Sequence, residues 1–308
     1  VALATLLAIP NVSEGRDQSA IDAIGEAFAH GPGEPPVRIL DVHADGDHHR
    51  SVFTLAGPPA ELVDSLLRGA AAAIARIDVM SPAKHGDTRP GQHPHVGALD
   101  VAPLVYLHPD ARGAACAAAL LAADRIGSEL DVPVFLYGEL SSADPGSTRG
   151  RAQLRRGGVL GLAARMTDAQ APLRPDFGPP RMHATAGATL VAARAPLVAF
   201  NVQLAAPAGM AQARAIAALI RDGGERGLPG VRALAIELRG GVAQVSTNVE
   251  RPFEVSLADV VRAVGEHAPL ASAELVGLAP AAALEGFPEE LPLPGFDRRR
   301  HLIENALG

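Results

Sequence analysis

Apolar positions recur along the chain at two alternating spacings, and the switches between them lay out the elements. A nearly unbroken apolar run at 1–9 reads as a buried first strand, and Asp17 caps a helix with Ile21, Ile24 and Phe28 on one face. Strands are predicted at 37–43 and 51–56. A helix follows Pro58-Pro59, with Leu62, Val63, Leu66, Leu67, Ala70, Ile74 and Ile77 at helical spacing. Next come a strand through Val101 and Val105, a helix over 110–130 and a strand over 132–137. From 138 to 185 the pattern loosens into turns and an Arg-rich stretch, Arg149, Arg151, Arg155 and Arg156. A long irregular segment in a compact domain commonly carries function. Regularity returns as strands at 188–193 and 197–204, a helix at 208–222, strands at 231–238 and 242–248, a helix at 256–267 and a strand at 271–277. This ββαββαβ order is that of a ferredoxin-like unit with an added strand. The reading is α/β (α+β): two α/β subdomains with mixed sheets, 1–184 and 185–308, and a last short helix over 298–306.

Composition narrows the partners. Aromatic residues make up 3% of the chain and Trp is absent, so Ala, Val, Leu and Ile must fill the cores and nucleobases would find few rings to stack on. A formal net charge of -7 gives no general basic footprint for nucleic acid. The single cysteine, Cys116, cannot close an internal disulfide and is expected as a small core residue in a reducing cytoplasm. The apolar opening lacks the basic leader of a signal peptide and falls far short of the ~20 residues that span a bilayer, so no membrane partner is expected.

Histidines carry the candidate chemistry. Seven of the 11, His43, His48, His49, His85, His93, His95 and His183, fall in three loop-like segments beside strand ends, where α/β folds collect ligands. In Gly91-Gln92-His93-Pro94-His95-Val96-Gly97-Ala98-Leu99-Asp100, His93 sits on a rigid turn and suits proton transfer near neutral pH. By itself the segment also reads as a polar turn before a buried strand. His43, His48, His85, His93 and His95 with Asp41, Asp45, Asp47 and Asp100 are metal-ligand types, which leaves a metal-dependent hydrolase as an alternative. No His-Glu-x-x-His helix occurs, and a site without metal is favoured. Arg50, after Asp45-Gly46-Asp47-His48-His49, suits clamping a substrate carboxylate while a neighbouring acid orients a histidine. Asn11, Ser13 and Glu14 either form a turn or line a polar pocket at a strand end. Neither a Gly-x-Ser-x-Gly elbow nor a glycine-rich phosphate loop is present, which removes serine hydrolase, kinase, NTPase and dehydrogenase readings.

Taken together, these segments resemble the formiminotransferase domain family, that of the glutamate formimidoyltransferases of histidine degradation. The resemblance runs in order through Pro10-Asn11-Val12-Ser13-Glu14-Gly15, Leu40-Asp41-Val42, Asp47-His48-His49-Arg50-Ser51-Val52-Phe53-Thr54, His93-Pro94 and Gly97-Ala98-Leu99-Asp100-Val101. It continues through Val132-Pro133-Val134, Asp176-Phe177-Gly178-Pro179, His183-Ala184-Thr185-Ala186-Gly187-Ala188, Ala199-Phe200-Asn201-Val202 and Gln244-Val245-Ser246-Thr247-Asn248.

The resemblance implies that the histidine before the proline, His93, is the acid/base, and that Gly178, Pro179, His183, Thr185 and Gly187 contact folate. Asn11, Ser13, Glu14, Asp41, His43, His48, Arg50 and His95 complete the expected binding set. It further implies two α/β subdomains facing each other across a groove, a homodimer, tetrahydrofolate as co-substrate bearing a 5-formimino or 5-formyl group, and glutamate or a related amino acid as its counterpart. A cyclodeaminase is expected as a separate protein.

Four positions depart from the family pattern. An acidic residue after Asp41-Val42 is His43 here, an Asn before the Arg is His49, and Glu-His-Pro-Arg reads Gln92-His93-Pro94-His95, with Asp87 to Pro90 lengthening the loop. Imidazoles in place of an acid, an amide and a guanidinium change the charge of the site and the coupling of its titrations. A folate-binding protein without turnover is the non-enzymatic alternative.

Overall fold

Leu6–Ala8, wholly buried, forms the first strand (β1) of the computed structural model, which describes residues 5–31, 37–81, 94–141 and 150–308. The chain breaks at Ile9-Pro10 and resumes as β2 (Asn11–Val12). Both halves pair antiparallel with β4 (Arg50–Gly57) on one side and β5 (Leu99–Val105) on the other. β3 (Arg38–Asp45) flanks β4, and β7 (Thr189–Arg194) lies parallel between β5 and β6 (Val134–Gly138). The result is a mixed seven-stranded sheet, read across as β3, β4, the broken β1/β2, β5, β7, β6.

Helices α1 (Gln18–Ala29), α2 (Pro59–Ile74) and α3 (Arg112–Glu129) bury their apolar sides in one core with this sheet. Asp17 caps α1, its carboxylate accepting the amides of Ser19 (3.0 Å) and Ala20 (3.2 Å), an arrangement worth about 1 kcal/mol. Phe28 packs on Phe53 with ring centroids 5.1 Å apart. α3 buries Ala115, Ala118, Ala119, Ala122 and Ala123, and such small side chains let a helix lie close to its neighbours. Cys116 is only partly buried on that helix, packed against the core rather than within it.

A second core joins Val101, Phe135, Tyr137, Leu190 and Ala192 of the sheet to Leu154, Leu162 and Met166. These last belong to α4 (Arg151–Leu154) and α5 (Gly158–Met166), which lie within the stretch expected to be irregular. Both helices are too short for periodicity to single out.

Residues from 196 onward form a unit with its own core. Its elements are β8 (Val198–Leu204), α6 (Met210–Ile220), β9 (Val231–Glu237), β10 (Ala243–Val249), α7 (Leu257–Gly265) and β11 (Leu270–Val276). The four strands are all antiparallel in the order β11, β8, β10, β9, which with the βαββαβ sequence is a ferredoxin-like arrangement. Gly240-Gly241 turns the β9–β10 hairpin, both with positive φ.

The added strand expected for this unit is β7, and its pairing with β5 and β6 puts it in the first sheet. The two units accordingly divide as Val1–Ala195 and Pro196–Gly308, rather than near 184. The last helix is two short ones, α8 (Arg298–His301) and α9 (Ile303–Leu307), separated at Leu302, which forms a bridge with Ala279. Among the described residues, no helix is long and apolar enough to cross a membrane.

Candidate functional site

Val12 lies between Ser51 of β4 and Leu99 of β5, so the ends of three strands meet at the turn that follows it. The Ser13 amide donates to Ala98 O (2.9 Å), the buried Ser13 hydroxyl to Gly97 O (2.7 Å) and the Ser51 hydroxyl to Glu14 O (2.6 Å). Glu14 turns its carboxylate forward to accept the amides of Arg16 (2.7 Å) and Asp17 (3.0 Å). Ser13 and Glu14 thus use polar atoms to stitch the strand ends and to start α1. Gly15 is dictated by contact, because a Cβ there would lie 2.2 Å from Asp45 O and 2.5 Å from Arg50 N. The turn between β3 and β4 rests directly on it.

Asp45 organises that turn. Its Oδ1 accepts the amides of Asp47 (2.7 Å) and His48 (3.0 Å), and its Oδ2 pairs with Nδ1 of the buried His48 ring. Burial raises the Asp45 pKa, but the hydrogen bonds from the His48 ring and the two amides, with the charge of that ring, outweigh it. The carboxyl is held well below its usual range. A carboxylate on Nδ1 fixes the orientation of the imidazole and leaves Nε2 as its outward nitrogen. His49 follows at φ 51°, an uncommon conformation for a side-chain-bearing residue. Its Nδ1 accepts the Gly15 amide at 3.2 Å and lies 3.4 Å from Glu14 Oε1. The amide bond is the closer contact and makes that nitrogen an acceptor.

Arg50 opens β4 with its Nε buried and, among the described residues, without a hydrogen-bond partner. Burial and the neighbouring Arg155 push its guanidinium down to about 10, while Asp100 and Asp45 oppose the shift. Arg155, just after α4, is 7% exposed and forms an ion pair with Asp100, itself 1% exposed. Asp100 Oδ1 also accepts the Val96 amide (2.8 Å), so one carboxylate ties the residues after His95 to the arginine stretch. Arg50 thus has the guanidiniums of Arg151 and Arg155 as well as the carboxylates of Asp45 and Asp100 in its surroundings.

A second turn lies along the same sheet edge. The amides and carbonyls of His183 and Gly187 bond reciprocally (2.9 and 3.3 Å), and His183 Nδ1 accepts the amides of Ala186 (3.0 Å) and Thr185 (3.3 Å). With Nδ1 an acceptor, Nε2 carries the ring proton and is a donor. This turn is fastened to the residues before β5, where the Ala98 amide donates to Ala186 O and that of Ala188 to Val96 O, both at 2.9 Å. Only glycine fits the contact, since a Cβ on Gly97 would lie 1.8 Å from Ala188 O and one on Gly187 2.3 Å from Val96 O.

The edge therefore gathers Ser13, Glu14, His48, Arg50, His95 and the His183 to Gly187 turn around the starts of β4, β5 and β7. Asn11 lies in β2 between Val52 and Val101, and Asp41 and His43 lie on β3 opposite Thr54 and Val52, all three partly buried. Gly178 and Pro179 lie by the start of β6, the strand next to β7 and at the far end of the strand order from β3. There Phe177 O accepts the Val134 amide (2.9 Å). His93, with His85, Gly91 and Gln92, lies outside the described residues.

Arg155 is the residue that sequence reasoning missed as part of the site. Its stretch stood out as Arg-rich, but the partner that buries it is 55 positions away.

Residues 5–194 match the family model described as formiminotransferase domain, N-terminal subdomain. The chain is similar to glutamate formimidoyltransferase of Streptococcus pyogenes serotype M1, 34% identical over 306 residues that cover 97% of each protein. Similarity to glutamate formimidoyltransferase of Thermoplasma acidophilum is 34% over 302 residues, 94% of this chain and 93% of that one. To formimidoyltransferase-cyclodeaminase of Sus scrofa it is 35% over 318 residues, 97% of this chain but 56% of the pig protein.

Proposed function

Since this chain belongs to the formiminotransferase family, we propose that it is a folate-dependent transferase that moves a formimino group between tetrahydrofolate and glutamate. The observation that carries the reading is similarity along 97% of both this chain and a glutamate formimidoyltransferase. The buried guanidiniums of Arg50 and Arg155 support it, because glutamate and the folate tail are both anionic.

In the proposed reaction the glutamate nitrogen attacks the formimino carbon of 5-formiminotetrahydrofolate. A C–N bond forms, the amine gives up a proton, and the bond to folate N5 breaks as that nitrogen takes one. One imidazole serves both transfers, and the proposed group is His93. A positioned acid/base of this kind contributes about 10²- to 10⁴-fold, the alignment of the two reactants supplying much of the rest. The His183 to Gly187 turn and Gly178-Pro179 are the proposed folate contacts, with Asn11, Ser13, Glu14, Asp41, His43, His48, Arg50 and His95 as further binding residues. A cytoplasmic homodimer is part of the same proposal, as is a cyclodeaminase that consumes the folate product.

The test mixes 5-formiminotetrahydrofolate with glutamate and follows folate absorbance for the wild type and His93→Ala. Turnover by the wild type, cut at least a hundredfold or so in the variant while folate binding persists, is the expected result. Absence of turnover with any amino acid overturns the transferase reading, and equal turnover in the variant removes His93 from it.

A further inference from the structure

Arg155 makes an ion pair that its position does not require. It follows the four-residue helix Arg151–Leu154, where an arginine could turn to solvent at no cost, yet its side chain is 8% exposed against an Asp100 carboxylate 1% exposed. Burying such a pair costs desolvation that mutual attraction only partly returns, so a purely structural role is weakly motivated. The pairing also leaves Arg155 incompletely used, its Nε being buried and, among the described residues, without a partner.

Arg50 repeats the observation from the start of β4, its own Nε being buried and, among the described residues, unpartnered. The two are brought near each other by the pairing of Val12 with Ser51 on one side and Leu99 on the other, next to Arg50 and Asp100 respectively. Two guanidiniums with unspent buried donors, one neutralised by an aspartate and one not, suit a single further negative charge. Planar forks of this kind match the two oxygens of a carboxylate.

We propose that Arg50 and Arg155, the latter oriented by Asp100, form a seat for one carboxylate of the bound reactants, and that Arg155 is a determinant of specificity. The proposal rests on the transferase reading for its ligand, a dicarboxylic amino acid. The glutamyl tail of folate offers the same chemistry, and the experiment separates these two sources.

Calorimetric titration of the full chain with glutarate, which has no amine to react, and with its neutral diamide glutaramide tests the seat without any turnover. Glutarate is expected to bind and glutaramide not. Arg155→Lys, which keeps the charge and loses the fork, is expected to weaken glutarate roughly ten- to a hundredfold. Arg50→Lys, whose side chain has no aspartate to leave behind, is expected to do the same and serves if the first variant fails to fold. Glutarate binding no tighter than glutaramide, or binding unchanged in both variants, overturns the seat.

Steady-state kinetics then assigns it. A rise in KM for glutamate, larger than any fall in kcat, places the amino acid there. A rise only for folate, absent with a tail-less tetrahydropteroate donor, places the tail there, and unchanged KM for both overturns the proposal. Retained glutarate binding in a chain that transfers nothing refutes the transferase reading while supporting the seat.

Discussion

In residues 1–195 the polar side chains buried with the sheet include the charged pair Asp100 and Arg155 and the ring of His48, whereas in 196–308 they are the neutral Asn201, Gln244 and Thr247. Both units set helices on a sheet and fill the core with aliphatic residues. A neutral hydroxyl is satisfied cheaply, as when Thr247 donates to Phe200 O at 2.6 Å. A buried ion pair is rarely the most stable choice for its site, since apolar residues of like volume commonly do as well or better. The contrast teaches where to look for function: the first unit retains costly charge at one edge of its sheet, and that edge carries the clustered histidines.

The contrast can be broken by substitution. Asp100→Asn leaves the Arg155 guanidinium buried without its counter-charge and is expected to lower stability by about 3–5 kcal/mol, read from urea unfolding. A loss below about 1 kcal/mol would place this pair with ordinary surface bridges.

Asp45→Asn is expected to cost about 1.5–3 kcal/mol at neutral pH through the hydrogen bonds of the ionised carboxylate. Its folded pKa is depressed from the ordinary 3.8, so its contribution is complete above that value and is lost as acid protonates the folded form. Stability measured against pH should fall from about pH 5 downward, and the variant should fall less steeply over that interval. Parallel profiles would show that Asp45 is not the group concerned.

Thr247→Val, at the other end of the scale, is expected to cost about 1 kcal/mol and to shift the urea midpoint equally at pH 5 and pH 8, since no charge is involved. A pH-dependent difference would mean that the second unit hides a titrating partner.

Much of the fold was legible because the residues that shape it act locally. Asp17 as a helix cap, Pro59 at the first turn of α2, the face of Ile21, Ile24 and Phe28, and the double glycine between β9 and β10 all depend on neighbours within a few positions. β7 shows where this stops. Thr189 to Ala193 is buried without interruption like any central strand, and proximity in sequence suggests pairing with β8. Its partners are instead Val101 to Val105 and Val134 to Gly138, long-range and parallel, which no local pattern encodes.

The site divides the same way. His48 and Asp45 are three positions apart and the sequence pointed to an acid that orients a histidine, but Arg155 and Asp100 meet only in three dimensions. Ser13 and Glu14 were expected at the ligand, and their hydrogen bonds to Gly97, Arg16 and Asp17 go to the protein's own backbone.

The placement of β7 has a consequence for biosynthesis. While the ribosome is still short of residue 189, β5 and β6 have both been made, but the strand that lies between them has not. Each then presents unpaired amides and carbonyls along a strongly apolar edge, the kind of template on which nascent chains stick to one another. Chains cut short before 189 are therefore expected to aggregate, and those extended past 194 to become protected.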